Sequence, residues 1–197
     1  MALACERGGL RLFSDIAFAL QAGSLLRVRG ANGSGKTTLL RTLAGLTRPA
    51  AGEIRWRGAP IGDDYRREML FLGHAAAVKD ELTVMENLQF SAELADLKDP
   101  DCERALQQLG IARLADLPAR YLSQGQRKRA ALARLALAPD MALWLLDEPF
   151  AALDEEAIAR VSSLCAGHLA AGGVLVLTSH QDIPIAAPDA RALELRS

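Results

Sequence analysis

One glycine-rich segment constrains the fold of this chain more than any other. Residues 24–30, "SLLRVRG", have the apolar pattern of a buried strand, and "GANGSGKTTLLRTLAG", which starts at Gly30, continues into a helical pattern. Gly30, Gly35, Lys36 and Thr37 have the spacing of a phosphate-binding loop between a strand and a helix. Glycines allow backbone N–H groups to converge on a phosphate, and the helix N-terminus adds a partial positive charge. The segment therefore predicts a P-loop that binds a nucleotide.

The same loop supplies most of the predicted nucleotide contacts. We expect Lys36 to reach the β- and γ-phosphates and to assist catalysis, and Thr37 to offer its hydroxyl to Mg²⁺. The alternative is a glycine-rich turn with an incidental Lys, but the chain contains few lysines and the strand-to-helix context favours the P-loop. The predicted nucleotide-binding residues are Gly30, Ala31, Asn32, Gly33, Ser34, Gly35, Lys36, Thr37 and Thr38.

The rest of the sequence places this loop in an α/β fold. Short apolar runs at 69–73, 142–146 and 174–178 alternate with helical patterns, which indicates a mostly parallel sheet. Two stretches near the N-terminus, 16–20 and 53–58, favour a smaller antiparallel sheet. The sequence therefore predicts a central sheet with a small antiparallel β subdomain.

The middle of the chain, from about 83 to 139, lacks strand patterns. It contains three helical patterns, "TVMENLQFSAEL", "CERALQQLG" and "QGQRKRAALARLALA", the last of which is stopped by Pro139. We interpret this region as a helical subdomain inserted into one compact domain that spans residues 1–197. That length is sufficient to bury a core without disulfide staples.

An uncharged stretch from Val161 to Gln181 has the length of a membrane span. Six polar side chains dilute it, and the pair Gly172-Gly173 would break a membrane helix in its middle. We therefore predict a helix, with His168 on its surface, followed by a buried strand. The first residues do not form a signal peptide, so we expect the protein in the cytosol or on the cytoplasmic face of a membrane.

Two acidic residues end one of the predicted strands. Asp147 and Glu148 follow the apolar run "MALWLL", at the carboxyl edge of the sheet where open α/β folds bind ligands. We expect Asp147 to hold Mg²⁺ and Glu148 to polarise the water that attacks the γ-phosphate. Either acid alone would be interpreted as a solvated strand end. The P-loop upstream favours the catalytic interpretation.

Two further segments carry candidate site residues. His180 follows the strand "VLVLT" and is predicted to contact the γ-phosphate or the attacking water, although a lone His after a strand is more often a surface residue. The segment "LSQGQ" precedes a helix, where Ser123 and Gln126 have the spacing of a capping box. A capped helix start with Gly125 close to the surface is also a potential anion site.

Taken together, "GANGSGKTT", "LSQGQ", "LWLLDEPFAALD" and "LTSH" resemble the motifs of ATP-binding cassette (ABC) ATPases in order and spacing along nearly the whole chain. The resemblance implies a P-loop NTPase fold with a RecA-like core, Mg²⁺-dependent ATP hydrolysis and a head-to-tail homodimer. In that dimer the signature residues Ser123, Gln124, Gly125 and Gln126 of one subunit would cap the ATP held by the other. Asp154 would lie in the dimer-interface loop.

Within this class the chain most resembles the haem-exporter ATP-binding subunits of cytochrome c maturation, on the segments "GHAAAVKDELTVMENLQF" and "TSHQ". The resemblance implies a hydrophobic membrane permease subunit and haem-delivery membrane proteins as partners. It also implies a peripheral location on the cytoplasmic face of the bacterial inner membrane. The alternative within the class is a transporter for another substrate.

The sequence departs from the family pattern in three places. His74 stands where these ATPases usually carry a Gln that senses Mg²⁺, so we treat it as a possible equivalent. Gln124 stands where Gly is frequent. The aromatic residue that often stacks on adenine is missing, because Glu6 and Arg7 occupy that region and Phe13 lies further on; Arg7 is a possible substitute.

Two other function classes share the ATP motifs. Nucleic-acid-associated cassettes carry long coiled coils between P-loop and signature, and this chain has no heptad run there. Its 23 basic and 24 acidic residues also lack the excess of basic charge that phosphate backbones require, so we expect no nucleic-acid partner. Degenerate cassettes that only bind nucleotide tend to lose the acid at the Glu148 position, which this chain retains.

Overall fold

The computed structural model describes residues 2–8 and 10–195. Its strands, in chain order, are β1 (Leu3–Arg7), β2 (Leu10–Ile16), β3 (Ser24–Gly30), β4 (Arg55–Trp56), β5 (Ala59–Pro60), β6 (Met69–Leu72), β7 (Leu143–Asp147), β8 (Val174–Thr178) and β9 (Asp189–Leu195). Its α-helices are α1 (Lys36–Leu43), α2 (Asp63–Arg67), α3 (Val84–Leu94), α4 (Cys102–Gln108), α5 (Gln124–Leu137) and α6 (Glu155–Ala170).

The central sheet is parallel and has five strands in the order β6-β7-β8-β3-β9. Every residue of β7 and β8 is buried, which explains why these two strands are continuous apolar runs rather than alternating patterns. Because the strands are parallel, their last residues lie at the same edge of the sheet. For β3, β6, β7 and β8 these are Gly30, Leu72, Asp147 and Thr178. This edge is where the chemically active side chains meet.

The sequence did not predict the last strand. β9 pairs with β3 over seven residues, from Ser24 opposite Asp189 to Gly30 opposite Leu195. Most of its residues are exposed and several are charged, as is typical of the edge of a sheet. The strand β3 that leads into the P-loop is therefore hydrogen-bonded on both sides.

The antiparallel part differs from the prediction. β1 pairs with β2 as a hairpin, and β4 pairs with β5 as a separate two-stranded sheet. The predicted strand at 16–20 was wrong, because β2 ends at Ile16 and residues 17–21 form no strand. The stretch at 53–58 contains β4 and the turn that follows it.

The three helices predicted in the middle of the chain are confirmed as α3, α4 and α5. Two of them begin with the same reciprocal capping arrangement. Thr83 accepts from the backbone N–H of Glu86 at the start of α3, and Ser123 accepts from that of Gln126 at the start of α5. Each partner side chain bonds back to the capping residue, so both helix starts are fixed.

The uncharged stretch is a helix followed by a buried strand, as predicted, in α6 and β8. Within the described residues no helix is long and apolar enough to cross a membrane. His168 was expected on the helix surface, but it is only 5% exposed. Its ring stacks on Trp144 at 4.0 Å between centroids, and its Nε2 lies 3.1 Å from the carbonyl oxygen of Val174. Burial lowers the pKa of His168, so the ring is a neutral core residue.

Candidate active site

A cleft of about 380 Å³ opens at the carboxyl edge of the central sheet. Residues from the P-loop, from the ends of β7 and β8 and from the segment after β6 share its wall. The lining residues are Leu12, Asn32, Gly33, Gly35, Lys36, Thr37, Thr38, His74, Asp147, Glu148 and His180. The structure thus brings together the P-loop, both strand-end acids, His74 and His180, which come from four separate parts of the sequence.

The P-loop has the backbone that phosphate binding requires. Gly35 immediately precedes α1 with φ 94°, in the left-handed region that favours glycine. A Cβ at this position would also lie 3.1 Å from the ring of Phe13. Gly35 caps α1 without a side-chain hydrogen bond, so the first N–H groups of the helix remain available to an anion.

Lys36 points its ammonium group back into the loop. Its Nζ donates to the carbonyl oxygens of Gly30, at 2.8 Å, and Ala31, at 3.0 Å. The side chain is only 8% exposed, so the cation is held in place before any phosphate is bound. A triphosphate that enters the loop meets a positioned positive charge and a helix N-terminus together.

The Thr37 hydroxyl and the Asp147 carboxylate meet at the floor of the cleft. Thr37 Oγ1 donates to Asp147 Oδ2 at 2.8 Å, although the two residues come from α1 and β7. A hydroxyl and a carboxylate oxygen at this separation are hard ligands of the kind that Mg²⁺ prefers. The described residues contain no cluster of three or more metal-ligating side chains. These two oxygens therefore fit a Mg²⁺ ion that also binds substrate phosphates and water.

Thr178, at the end of β8, connects the two acidic residues and was not predicted. Its Oγ1 donates to Asp147 Oδ1 at 2.7 Å and accepts from the backbone N–H of Glu148 at 2.8 Å. Thr178 is fully buried and Asp147 is 2% exposed. One hydroxyl therefore fixes the carboxylate of Asp147 and the backbone of Glu148 together. Its polarity at the end of an apolar strand was the only sequence signal.

Glu148 has a strained backbone and an unsatisfied carboxylate oxygen. Its φ is 49°, which non-glycine residues rarely adopt and which clusters at functional sites. Its Oε1 is buried and has no hydrogen bond in the described structure, but His180 Nε2 lies 3.4 Å away. The Glu148 side chain is 17% exposed and that of His180 is 52% exposed. A carboxylate held in this way can accept a proton from a water in the cleft.

Substitution of Thr178 by Val removes this bridge at almost constant volume. We expect ATP turnover to fall about tenfold or more and stability to fall by about 1–3 kcal/mol, because a buried carboxylate oxygen and N–H lose their partner. Steady-state turnover and urea unfolding measure the two effects.

Ser24→Ala is the matched control for Thr178→Val. The Ser24 hydroxyl donates to Asp189 Oδ2 at 2.9 Å and is buried, but it lies at the opposite end of β3. We expect this variant to lose stability without loss of turnover. Equal loss of turnover in both variants would contradict a specific role for Thr178.

Lys128, on α5, is a second residue near the acids that the sequence analysis missed. It lines a neighbouring cavity of about 480 Å³ together with Asp147 and His74. Burial lowers the pKa of Lys128, while the negative charges of Asp147 and Glu148 oppose that shift. The described residues therefore place one partly buried cation behind the two carboxylates.

The segment that begins α5 lies apart from this cleft. Ser123, Gln124, Gly125 and Gln126 are not among the cleft-lining residues of the described chain. The capping box predicted for Ser123 and Gln126 is confirmed, with the Ser123 N–H donating to Gln126 Oε1 at 2.9 Å. Gln124 is exposed.

Gly125 is required for close packing inside the chain. A Cβ at this position would lie 2.7 Å from the carbonyl oxygen of Ala152, in the loop after β7. In the same loop, Asp154 caps α6 by accepting from the backbone N–H of Ala157 at 2.8 Å. The start of α5 therefore packs directly against the segment that follows the two strand-end acids.

Comparison with known proteins identifies the family. The sequence profile of the ABC transporter family matches residues 13–151. This chain belongs to the ABC transporter family. It is 50% identical to the "Cytochrome c biogenesis ATP-binding export protein CcmA" of Aromatoleum aromaticum over 191 residues, which cover 94% of this chain and 89% of that protein.

Two solved structures show the same fold. A "Putative ABC transporter (ATP-binding protein)" from Pyrococcus furiosus is 26% identical, with a TM-score of 0.83 over 98% of this chain and 94% of that one. A dimeric ATP-binding cassette in a post-hydrolysis state, bound to ADP and Pi, is 24% identical, with a TM-score of 0.77 over 91% of this chain and 85% of that one. The family match makes the chain an ABC ATPase, and ABC ATPases bind ATP.

Among its described residues, the region expected to contact adenine in this ABC ATPase contains no exposed aromatic ring. Phe13 is 4% exposed and packs behind the P-loop, whereas Leu12 lines the cleft. Glu6 pairs with Arg11 at 3.5 Å. The side chain of Arg7 lies outside the described residues. Leu12 is thus an apolar cleft residue that sequence reasoning missed.

Proposed function

We propose that this chain is the ATP-hydrolysing subunit of an ABC complex that supports haem export, or release of a haem-loaded chaperone, in c-type cytochrome biogenesis. The ATPase part rests on one arrangement, in which Thr37, Asp147, Glu148 and His180 converge beside the P-loop. The haem part rests on the 50% identity to a relative named a cytochrome c biogenesis ATP-binding export protein.

The residues of the cleft have separate roles in the proposed reaction. Backbone N–H groups of Gly30 to Thr38 and the ammonium of Lys36 bind the triphosphate. Thr37 and Asp147 would hold Mg²⁺, which would supply positive charge to neutralise the phosphates of the bound nucleotide. Glu148 accepts a proton from water as the water oxygen bonds to the γ-phosphorus and the bond to the ADP oxygen breaks. His180 contacts the γ-phosphate from the side of Glu148.

We propose that two copies of the chain close around two ATP molecules. Ser123, Gln124, Gly125 and Gln126 of one copy would cap the nucleotide held by the P-loop of the other, and Asp154 would lie at the same interface. The exposure of Gln124 supports an arrangement in trans, and so does the finding that residues 123–126 do not line their own cleft in the described chain. Capping from a second copy also excludes water during the reaction.

The membrane partner is proposed to dock on the segment that follows β6. His74 belongs to this segment and lines both the nucleotide cleft and the neighbouring cavity, so it connects the proposed docking segment with the site. His74 would then take the place of the Gln that senses Mg²⁺ and contacts the permease. We propose a hydrophobic permease subunit and haem-delivery membrane proteins as partners, with the chain peripheral on the cytoplasmic face of the inner membrane.

Isolation of the tagged full chain from bacterial membranes tests this function. We expect a hydrophobic permease and haem-handling membrane proteins to co-purify with the chain. When Glu148→Gln replaces the wild-type chain, we expect loss of the c-type cytochromes that a stain for covalently bound haem detects. Recovery of a sugar or amino-acid permease, with normal c-type cytochromes, would overturn the haem role and leave the ATPase role intact.

A further inference from the structure

The segment that contains His180 crosses the central sheet without regular structure. It connects β8 to β9, which lie on the two sides of β3, and residues 179–188 form neither helix nor strand. Parallel strands require a crossover connection, and this one contains Pro184 and Pro188. Contacts from other elements must therefore set its path.

The crossover lies on one face of β3. Side chains of a strand alternate between faces, and Leu25 of β3 shares a core cluster with Ile183 and Ile185 of the crossover. The intervening residue, Leu26, packs in the other core cluster, on the opposite face. Arg27 and Arg29 are in phase with Leu25, so they face the crossover.

Arg27 makes the more buried of the two contacts. Its Nη2 donates to the carbonyl oxygen of Ile183 at 2.6 Å. Ile183 is only 7% exposed, so this hydrogen bond satisfies a backbone acceptor in a segment without a ladder. Burial lowers the pKa of Arg27, because it partly removes the charge from water.

Arg29 holds the neighbouring residue. Its Nη2 lies 2.7 Å from Asp182 Oδ1. Upstream, Ser179 closes a short turn, because its Oγ donates to the carbonyl oxygen of Gln181 and accepts from the N–H of the same residue. His180 therefore lies inside a turn whose two following residues are fixed by β3.

We propose that Arg27 and Arg29 are positioning residues for His180, and this proposal rests on the role of His180 proposed above. Both arginines belong to the strand that ends at Gly30, whose carbonyl oxygen accepts from Lys36 Nζ at 2.8 Å. One strand thus sets the position of the P-loop and of the histidine across the cleft. Loss of the Arg27 contact would release His180 from its position 3.4 Å from Glu148.

The test is a double-mutant cycle on ATP turnover by the full chain, reconstituted with the membrane subunits with which it co-purifies. We expect Arg27→Met to lower kcat about 10- to 100-fold, since misplacement by about 1 Å has costs of this size, with KM for ATP within about twofold. In the His180→Ala background the same substitution should change kcat by less than about twofold. Arg27→Lys should restore part of the activity, because an ammonium group can still donate to the Ile183 carbonyl oxygen.

Arg191→Met is the matched control. Arg191 also donates to a backbone carbonyl oxygen, that of Ala19 at 3.1 Å, but it lies on β9, past the end of the crossover, where it also pairs with Asp189 at 3.0 Å. The kcat of the Arg191→Met variant should equal that of the wild type. If Arg27→Met unfolds the chain, Arg29→Gln removes the exposed contact instead and should lower kcat about 2- to 5-fold, again without further effect in His180→Ala.

The outcomes separate this inference from the proposed function. His180→Ala is expected to lower kcat. If adding Arg27→Met or Arg29→Gln to that variant lowers kcat further by the same factor as in the wild-type background, the positioning role alone is overturned. An Arg191→Met variant as impaired as Arg27→Met would do the same. Wild-type kcat in His180→Ala would overturn both the proposed role of His180 and the inference that rests on it.

Discussion

Substitution of Glu148 by Gln is expected to lower ATP turnover by about 10²–10⁴-fold, the range that general bases contribute. The amide preserves the size and shape of the side chain but does not accept the proton of the attacking water. Because Lys36, Thr37 and Asp147 are unchanged, ATP binding should persist. Phosphate release measures turnover, and an equilibrium titration measures whether the variant still binds ATP.

The control for Glu148→Gln is Glu156→Gln. Glu156 lies on α6, where its carboxylate pairs with Arg160 at 2.7 Å on the surface. We expect ATP turnover within twofold of wild type. Exposed ion pairs contribute only about 0.2–1 kcal/mol to stability, and Glu156 does not line the nucleotide cleft. Wild-type turnover in Glu148→Gln, with dimerisation intact, would mean that another group accepts the proton.

Substitution of Lys36 by Ala is expected to weaken ATP binding by about 10- to 150-fold, because a hydrogen bond to a charged group contributes about 1.5–3 kcal/mol. The loop also loses the ammonium that bonds to the carbonyl oxygens of Gly30 and Ala31. ADP binding should be affected less, since it has no γ-phosphate. Titration with both nucleotides measures the difference.

Lys98→Ala provides the control for the charge change. Lys98 is exposed, in the turn before α4, and does not line the nucleotide cleft. Its removal should leave both affinities unchanged. Equal losses for ATP and ADP in Lys36→Ala, or similar losses in Lys98→Ala, would contradict a specific contact of Lys36 with the γ-phosphate.

Local patterns were sufficient to predict the P-loop, the buried strands and the capped helices. Each depends on residues within a few positions of one another, such as Gly35 next to Lys36 or Ser123 three residues before Gln126. The edge strand β9 was missed because most of its residues are exposed and charged side chains interrupt any apolar pattern. The burial of His168 was missed because its partner, Trp144, comes from another element.

The site shows the same division between local and distant contacts. The sequence places Asp147, Glu148 and His180 at or just after the ends of buried strands. A parallel sheet brings such strand ends to one edge, so their meeting in the cleft was predictable. The link through Thr178 could not be predicted, since it depends on the register that places Asp147 beside Thr178 in neighbouring strands. The left-handed backbone of Glu148 has no sequence signal, because side chains other than Gly seldom adopt it.

The close contact between Gly125 and the carbonyl oxygen of Ala152 has a consequence for a dimer that closes head to tail. In the proposed dimer, the loop that begins with Glu148 would also support the segment that caps the opposite nucleotide. A change at one γ-phosphate would then shift a wall of the other site through this contact. Turnover at the two sites is thus expected to depend on each other, with a Hill coefficient above one for ATP.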